Sequence, residues 1–211
     1  MDVSTLHRQA DIAQPALEQG GLWSRLKAGT QATHERLDGR IMAGRPFESR
    51  ERYGLFLQVQ HDFHTIVSPL YHLADRADLL PGFGGRDRLA LIEQDLRDLG
   101  LDVPAKEEPA LDRLIDTPDA LGWLYVAEGS NLGAAFLLKA ARQLELSESF
   151  GARHLAPAPE GRGLHWKTFT AALDAIALAP QDEERVIMGA NIAFARVLSF
   201  VDQRFFATAT D

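Results

Sequence analysis

The 211-residue sequence contains no cysteine. That excludes disulfides, thiolate metal sites and cysteine nucleophiles. Positive charge is short: 22 Lys and Arg stand against 30 Asp and Glu, a formal net charge of −8. Such a balance argues against a broad nucleic-acid footprint. No apolar run approaches the ~20 residues of a membrane span, because Glu128, Lys139 and Arg142 interrupt the longest candidates. The opening MDVSTLHRQADIAQPALEQGG lacks the apolar core of a secretory signal. Strand signals are missing too, since no apolar/polar alternation is bounded by turn dipeptides. These absences lead us to expect a cytoplasmic protein with neither a membrane nor a nucleic acid as partner.

What remains is helix-forming sequence, 45% apolar and long enough for one domain with a sizeable core. Residues 1–20, polar and broken by Pro15 and Gly20, read as a flexible extension, and residues 21–211 as one helical domain. Leu22, Leu26, Leu37 and Ile41 set the period of a first helix, ended by Gly44 and Pro46. Ser49 is placed to cap a second, with Tyr53, Phe56, Leu57, Gln60, Phe63, His64 and Val67 as its stripe. A third helix is expected over 86–99 and a short helical turn over 111–115. Thr117-Pro118-Asp119 opens the next helix, which should bend near Gly129–Asn131 and continue to Leu146. Residues 164–176 and 182–206 complete an all-α fold of seven to nine helices.

The stretch LGWLYVAEGSNLGAAFLLKAA poses the chemical question, because an interior glycine costs a helix roughly 0.5–1 kcal/mol relative to alanine. Gly129 and Gly133 share one face with Tyr125, four residues apart. They serve either close helix packing or an open space for a ligand. None of the seven histidines has glutamate three residues before it, as a di-iron bundle would require. H-E-x-x-H is absent, EGSNLG is not a serine-nucleophile elbow, and GFGGRDR follows no strand. A non-covalent heme fits better. It needs an axial side chain, an apolar slot, and cations or hydroxyls for two propionates. His34 lies on the first helix beside Arg25, Lys27, Arg36 and Arg40, with Asp38 one turn on to orient its ring. Lys27 stands two turns before His34, either as a propionate partner or as an ordinary surface lysine. Glycines on an opposing helix would bring bare backbone close to the iron. A heme carrier or sensor without turnover shares these features, and an unrelated helical enzyme with a thiaminase-like architecture is a further alternative.

The segments LKAGTQATHERLD, DALGWLYVAEGSNLGAAFLLKAA, LSESFGARHLAPAPEGRGLHWKTF and NIAFARVLSFVDQRFF resemble the bacterial heme oxygenases, from about Leu22 to Phe206. The resemblance implies heme b held between a proximal and a distal helix and oxidised to biliverdin, CO and Fe(II). It implies His34 as the iron ligand, Gly129 and Gly133 with Ser130 on the distal helix, and Gln60 and His64 around an ordered-water network. The reaction uses O2 and an external electron donor such as a ferredoxin, a flavodoxin or another reductase, which the basic patch could dock. Some members pair an asparagine, a phenylalanine and a lysine at the positions of Lys27, Tyr125 and Ala140, and make the δ and β isomers. The residues here resemble the members that make biliverdin IXα. The product would supply a bacteriophytochrome, or the reaction would release iron.

Overall fold

A computed structural model describes residues 20–105 and 117–207 of the chain. The expected extension up to residue 19 and the helical turn at 111–115 lie outside the described residues. Six α-helices follow one another: α1 (Leu22–Ala43), α2 (Arg50–Arg76), α3 (Leu89–Asp98), α4 (Thr117–Ala141), α5 (Arg162–Ala175) and α6 (Pro180–Phe205). Three short 3-10 turns, Phe83–Arg86, Arg142–Leu144 and Arg153–Leu155, join them. Among the described residues there is no strand, only isolated bridges from Ser147 to Phe150 and Gly151. The all-α expectation holds, with six α-helices among the described residues.

Local signals explain most boundaries. The Ser49 side chain accepts from the Arg52 amide and caps α2, a contact worth about 1 kcal/mol. Pro180 occupies the first turn of α6, where its missing N–H costs nothing. Three expectations fail. The fourth helix ends at Ala141 rather than Leu146, because the chain tightens into a 3-10 turn and Glu145 turns left-handed at φ 60°. The third helix starts at Leu89 rather than Arg86, because Asp87 Oδ1 accepts from the Leu89 amide and marks the start there. The bend at Gly129–Asn131 is absent: α4 runs as one α-helix through both glycines to Ala141. Burial supports the helix where propensity does not, since Leu121, Leu124, Ala127, Ala134 and Leu138 are all buried.

Helix α6 is the spine. It packs against α1, α2 and α4, whereas α1 and α4 have little direct interface. It is long and apolar enough to cross a membrane by length and composition, alone among the described helices, which the run-length reading did not anticipate. Its apolar face is committed to the core through Val186, Ala190, Ala193, Phe194, Val197 and Val201. The α4–α6 crossing is a backbone contact. A Cβ on Gly122 would fall 2.2 Å from the Val186 carbonyl oxygen, and one on Gly189 would fall 2.5 Å from that of Asp119. Neither carbonyl can retreat, so both positions require glycine.

Two apolar clusters make up the interior. One gathers α1, α2, α4 and α6 around Trp123, and the other gathers the start of α2, α3 and the end of α4 around Tyr53 and Phe56. Helix α4 leaves the first cluster after Ala127 and enters the second at Ala134. The six residues between, Glu128–Gly133, are the stretch that the sequence marks out.

Candidate functional site: a slot between two helices

Gly129 and Gly133 do not serve close packing. A Cβ on Gly133 would meet no atom within 4 Å, and one on Gly129 would meet only the Trp166 ring, at 3.8 Å. That is ordinary van der Waals contact. Of the two readings left open by the sequence, the structure keeps open space. Ser130 is exposed and donates to the Ala127 carbonyl at 2.7 Å, so its hydroxyl is turned back on its own helix.

His34 is exposed on α1, its side chain 57% accessible, and its ring stands edge-on to Phe194 of α6 at 5.5 Å. The expected hydrogen bond to Asp38 is not made. The nearest atoms are Nε2 and Oδ2 at 3.6 Å, beyond hydrogen-bond range. Both side chains are solvated at the end of long rotors, so nothing holds them together. Helices α1 and α4 meet one turn before these positions, where Tyr125 lies beside the Thr30 hydroxyl and its phenol pKa is raised by burial, against that hydroxyl. Tyr125 also packs on Trp166, with ring centroids 5.7 Å apart. Lys27 is exposed and rests its ammonium 5.6 Å from the Trp23 ring.

Gln60 is half-buried on α2, and His64, one turn on, is buried with its Nδ1 unpartnered. Burial pushes the His64 pKa down to about 3, reinforced by His154, Arg88 and His61 nearby. The ring is therefore a neutral donor and acceptor at physiological pH. Around it lies a polar layer that sequence reasoning missed. Both nitrogens of buried His61, the amide nitrogen of buried Asn131 and Nε2 of His154 make no hydrogen bond within the protein, although Asp62 Oδ1 lies 3.9 Å from His61 Nδ1. His154 Nδ1 is 2.8 Å from Asp95 Oδ2. Burial lowers the His154 pKa in spite of that carboxylate. Arg88 closes the layer by donating to the His154 and Ala156 carbonyls, and Arg162 Nη1 donates to the Asn131 carbonyl at 2.7 Å. Orphaned buried polar groups cost about 1–3 kcal/mol each without a partner, so this layer is built for water. The one sequence signal for it was three histidines on apolar stretches, His61, His64 and His154.

The basic patch is only partly free. Arg25 pairs with Glu183 at 2.5 Å, and Arg40 pairs with Asp202 at 2.6 Å while stacking on Phe206. Charge counting along α1 could not see that α6 supplies the opposing acids. A cleft of about 410 Å3 between α1 and α6 is lined by Arg36, Gly39, Arg40, Ala43, Leu198 and Asp202. It contains none of the expected site residues.

Known proteins resemble this chain in sequence and in fold. The family described as heme oxygenase matches residues 21–203. Heme oxygenase PigA of Pseudomonas aeruginosa is 41% identical over 194 residues, covering 92% of this chain and 98% of that one. The structure of the NO- and CO-bound heme oxygenase from Neisseria meningitidis aligns with a TM-score of 0.83 at 40% identity, covering 92% of this chain and 96% of that one. Heme oxygenase from Leptospira interrogans, at 16% identity and a TM-score of 0.69 over 87% of this chain and all of that one, shares the fold. With family, fold and near-complete coverage in agreement, this chain is a member of the heme oxygenases, oxidoreductases that take heme as substrate.

Proposed function

We propose that heme lies in the slot between α1 and α4, with His34 as the iron ligand and the Gly129–Gly133 face on the opposite side, and that the product is biliverdin IXα with CO and Fe(II). The observation that supports this best is the room over both glycines of α4, together with an exposed histidine on α1 whose ring nitrogens make no hydrogen bond within the protein. A neutral imidazole gives iron less electron push than a thiolate does, which suits oxidation of the macrocycle itself by O2 and an external reductant. Asp38 is close enough to swing onto the His34 ring once the ring is fixed. Tyr125 and Lys27 are the hydroxyl and cation for the propionates, and their combination with Ala140 supports the α isomer.

Gln60, His64 and the polar layer behind them hold water that carries protons to the distal side. The slot face of α4 has no side-chain acid, and Ser130 completes it as a hydroxyl. A ferredoxin, a flavodoxin or another cytoplasmic reductase would supply electrons, and Arg36 is the α1 arginine best placed to meet an acidic donor. A bacteriophytochrome is the acceptor that suits a IXα bilin, with iron release as the other use.

The test is optical. One equivalent of hemin should give a histidine-ligated Soret band, which reductant in air with catalase converts to biliverdin absorption. His34→Ala should fail to form the normal complex. Heme that binds through His34 but survives reduction and O2 would instead mark a carrier. Chromatography of the product should show the α isomer, and predominantly δ or β product would overturn the Lys27 and Tyr125 assignment.

A further inference from the structure

The slot face of α4 has no side chains at Gly129 and Gly133, so α4 cannot be held in place from that side. It is held from behind. Glu128, next to Gly129 and fully buried, accepts from Tyr71 Oη on α2 at 2.8 Å and from Arg86 Nη1 on the 3-10 turn at 3.0 Å. His165 Nε2 on α5 lies 3.0 Å from the same carboxylate, though off the line of a good hydrogen bond. The other ring nitrogen of His165 lies 2.8 Å from Glu160 Oε1, in the loop before α5. Arg86 also reaches the His165 carbonyl, at 3.3 Å. Three elements, α2, the 3-10 turn and α5, thus converge on the one α4 carboxylate beside the distal glycine.

A buried ion cluster of this kind is weak as a source of stability, because desolvation offsets the attraction. Its geometric effect is definite. Trp166, the residue after His165, stands 3.8 Å from where a Cβ of Gly129 would be and packs on Tyr125. The tie between Glu128 and His165 therefore sets the spacing between the α4 backbone and the Trp166 wall.

We propose that Glu128 and His165 are positioning residues for the distal side of the heme slot, fixing where the Gly129 backbone stands and holding Trp166 against it. This rests on the reading of α4 as the distal helix. The carboxylates at the two ring nitrogens favour the charged form of His165: its pKa is raised first by Glu128 and then by Glu160, against burial and the Arg86 charge. The charged and titratable groups facing it are Glu128 from α4, Glu160 from the loop and Arg86 from the 3-10 turn, with Tyr71 of α2 on the shared carboxylate. The tie is strengthened while the ring is protonated and weakens as pH rises through the raised pKa.

Two measurements test it. In the wild-type apoprotein, NMR should show the Gly129 amide and the Trp166 indole shifting with the same midpoint as the His165 ring, above the ordinary value of about 6.5. In the ferrous CO complex, Glu128→Gln and His165→Gln should each change the CO dissociation rate by roughly threefold to tenfold and remove its pH dependence over that range. A Gly129 amide indifferent to His165 overturns the proposal. So do variants that only melt earlier while CO leaves at the wild-type rate. If Glu128→Gln fails to fold, His165→Gln and the wild-type titration decide. A Gly129 amide that follows His165 in a protein whose heme complex ignores His34 supports the anchor and defeats the site assignment instead.

Discussion

Gly133→Ala separates stability from function, and the structure gives the sign of each. The added Cβ meets no protein atom within 4 Å, so the substitution carries no packing penalty. It removes a helix-interior glycine, which is worth about 0.5–1 kcal/mol. For a chain of this size that corresponds to a rise in apoprotein Tm of roughly 2 °C. The same methyl projects about 1.5 Å from the backbone into the space proposed for the heme. Misplacement on that scale costs catalysis on the order of tenfold to a hundredfold. The assay is paired: calorimetry on the apoprotein, then the rate of biliverdin formation at saturating heme with a fixed reductant. A more stable, slower enzyme is expected. A variant that is less stable, or one that turns over at the wild-type rate, refutes the claim that Gly133 is kept for the slot.

Gly122→Ala should behave in the opposite way, since its Cβ collides with backbone of α6 at 2.2 Å; urea unfolding should show a loss of about 1–3 kcal/mol or more, with no helix-propensity gain visible. His64 contributes a pH dependence of definite sign. Its folded pKa is depressed to about 3, so stability is full above the unfolded value of about 6.5 and falls as pH drops, by about 2 kcal/mol between pH 7 and pH 5. Urea melts of wild type and His64→Gln at the two pH values should differ by that amount, and parallel losses would mean that His64 is not buried. Lys27→Asn combined with Tyr125→Phe should erode α selectivity in product chromatography, and unchanged regiochemistry would remove both residues from the propionate end.

Much of this was legible in the sequence because helices announce themselves by period and cap. Ser49 and Gly44 fixed boundaries by local chemistry, whereas the last helix starts at Pro180, two residues before the expected 182. The α4 bend was misjudged because propensity counts the cost of glycine and not the burial on the helix's other faces. The meaning of Gly122 and Gly129 could not be told apart along the chain. One meets a carbonyl from α6 and the other meets space, a distinction made by a helix 60-odd residues away in sequence (roughly; the contact is with Val186). The polar layer of His61, Asn131 and His154 was hidden for the same reason, since its members come from three separate segments. Arg25 and Arg40 looked like a free cationic patch until α6 placed Glu183 and Asp202 against them.

The spine arrangement makes the slot behave as an asymmetric pair of tongs. Its α4 jaw is fused to α6 by glycine-to-backbone contact at Gly122 and Gly189. Its α1 jaw is joined to α6 in large part by side chains: Thr33 to Asn191 at 2.6 Å, Arg25 to Glu183 and Arg40 to Asp202. A flat macrocycle enters and a puckered open-chain tetrapyrrole leaves, so the opening must widen at some stage of every cycle. Solvent-facing ion pairs yield at little cost, while interlocked backbone does not. Amide exchange should therefore be faster along α1 than along α4, and at the proposed site the histidine side, rather than the glycine side, is expected to yield when product leaves.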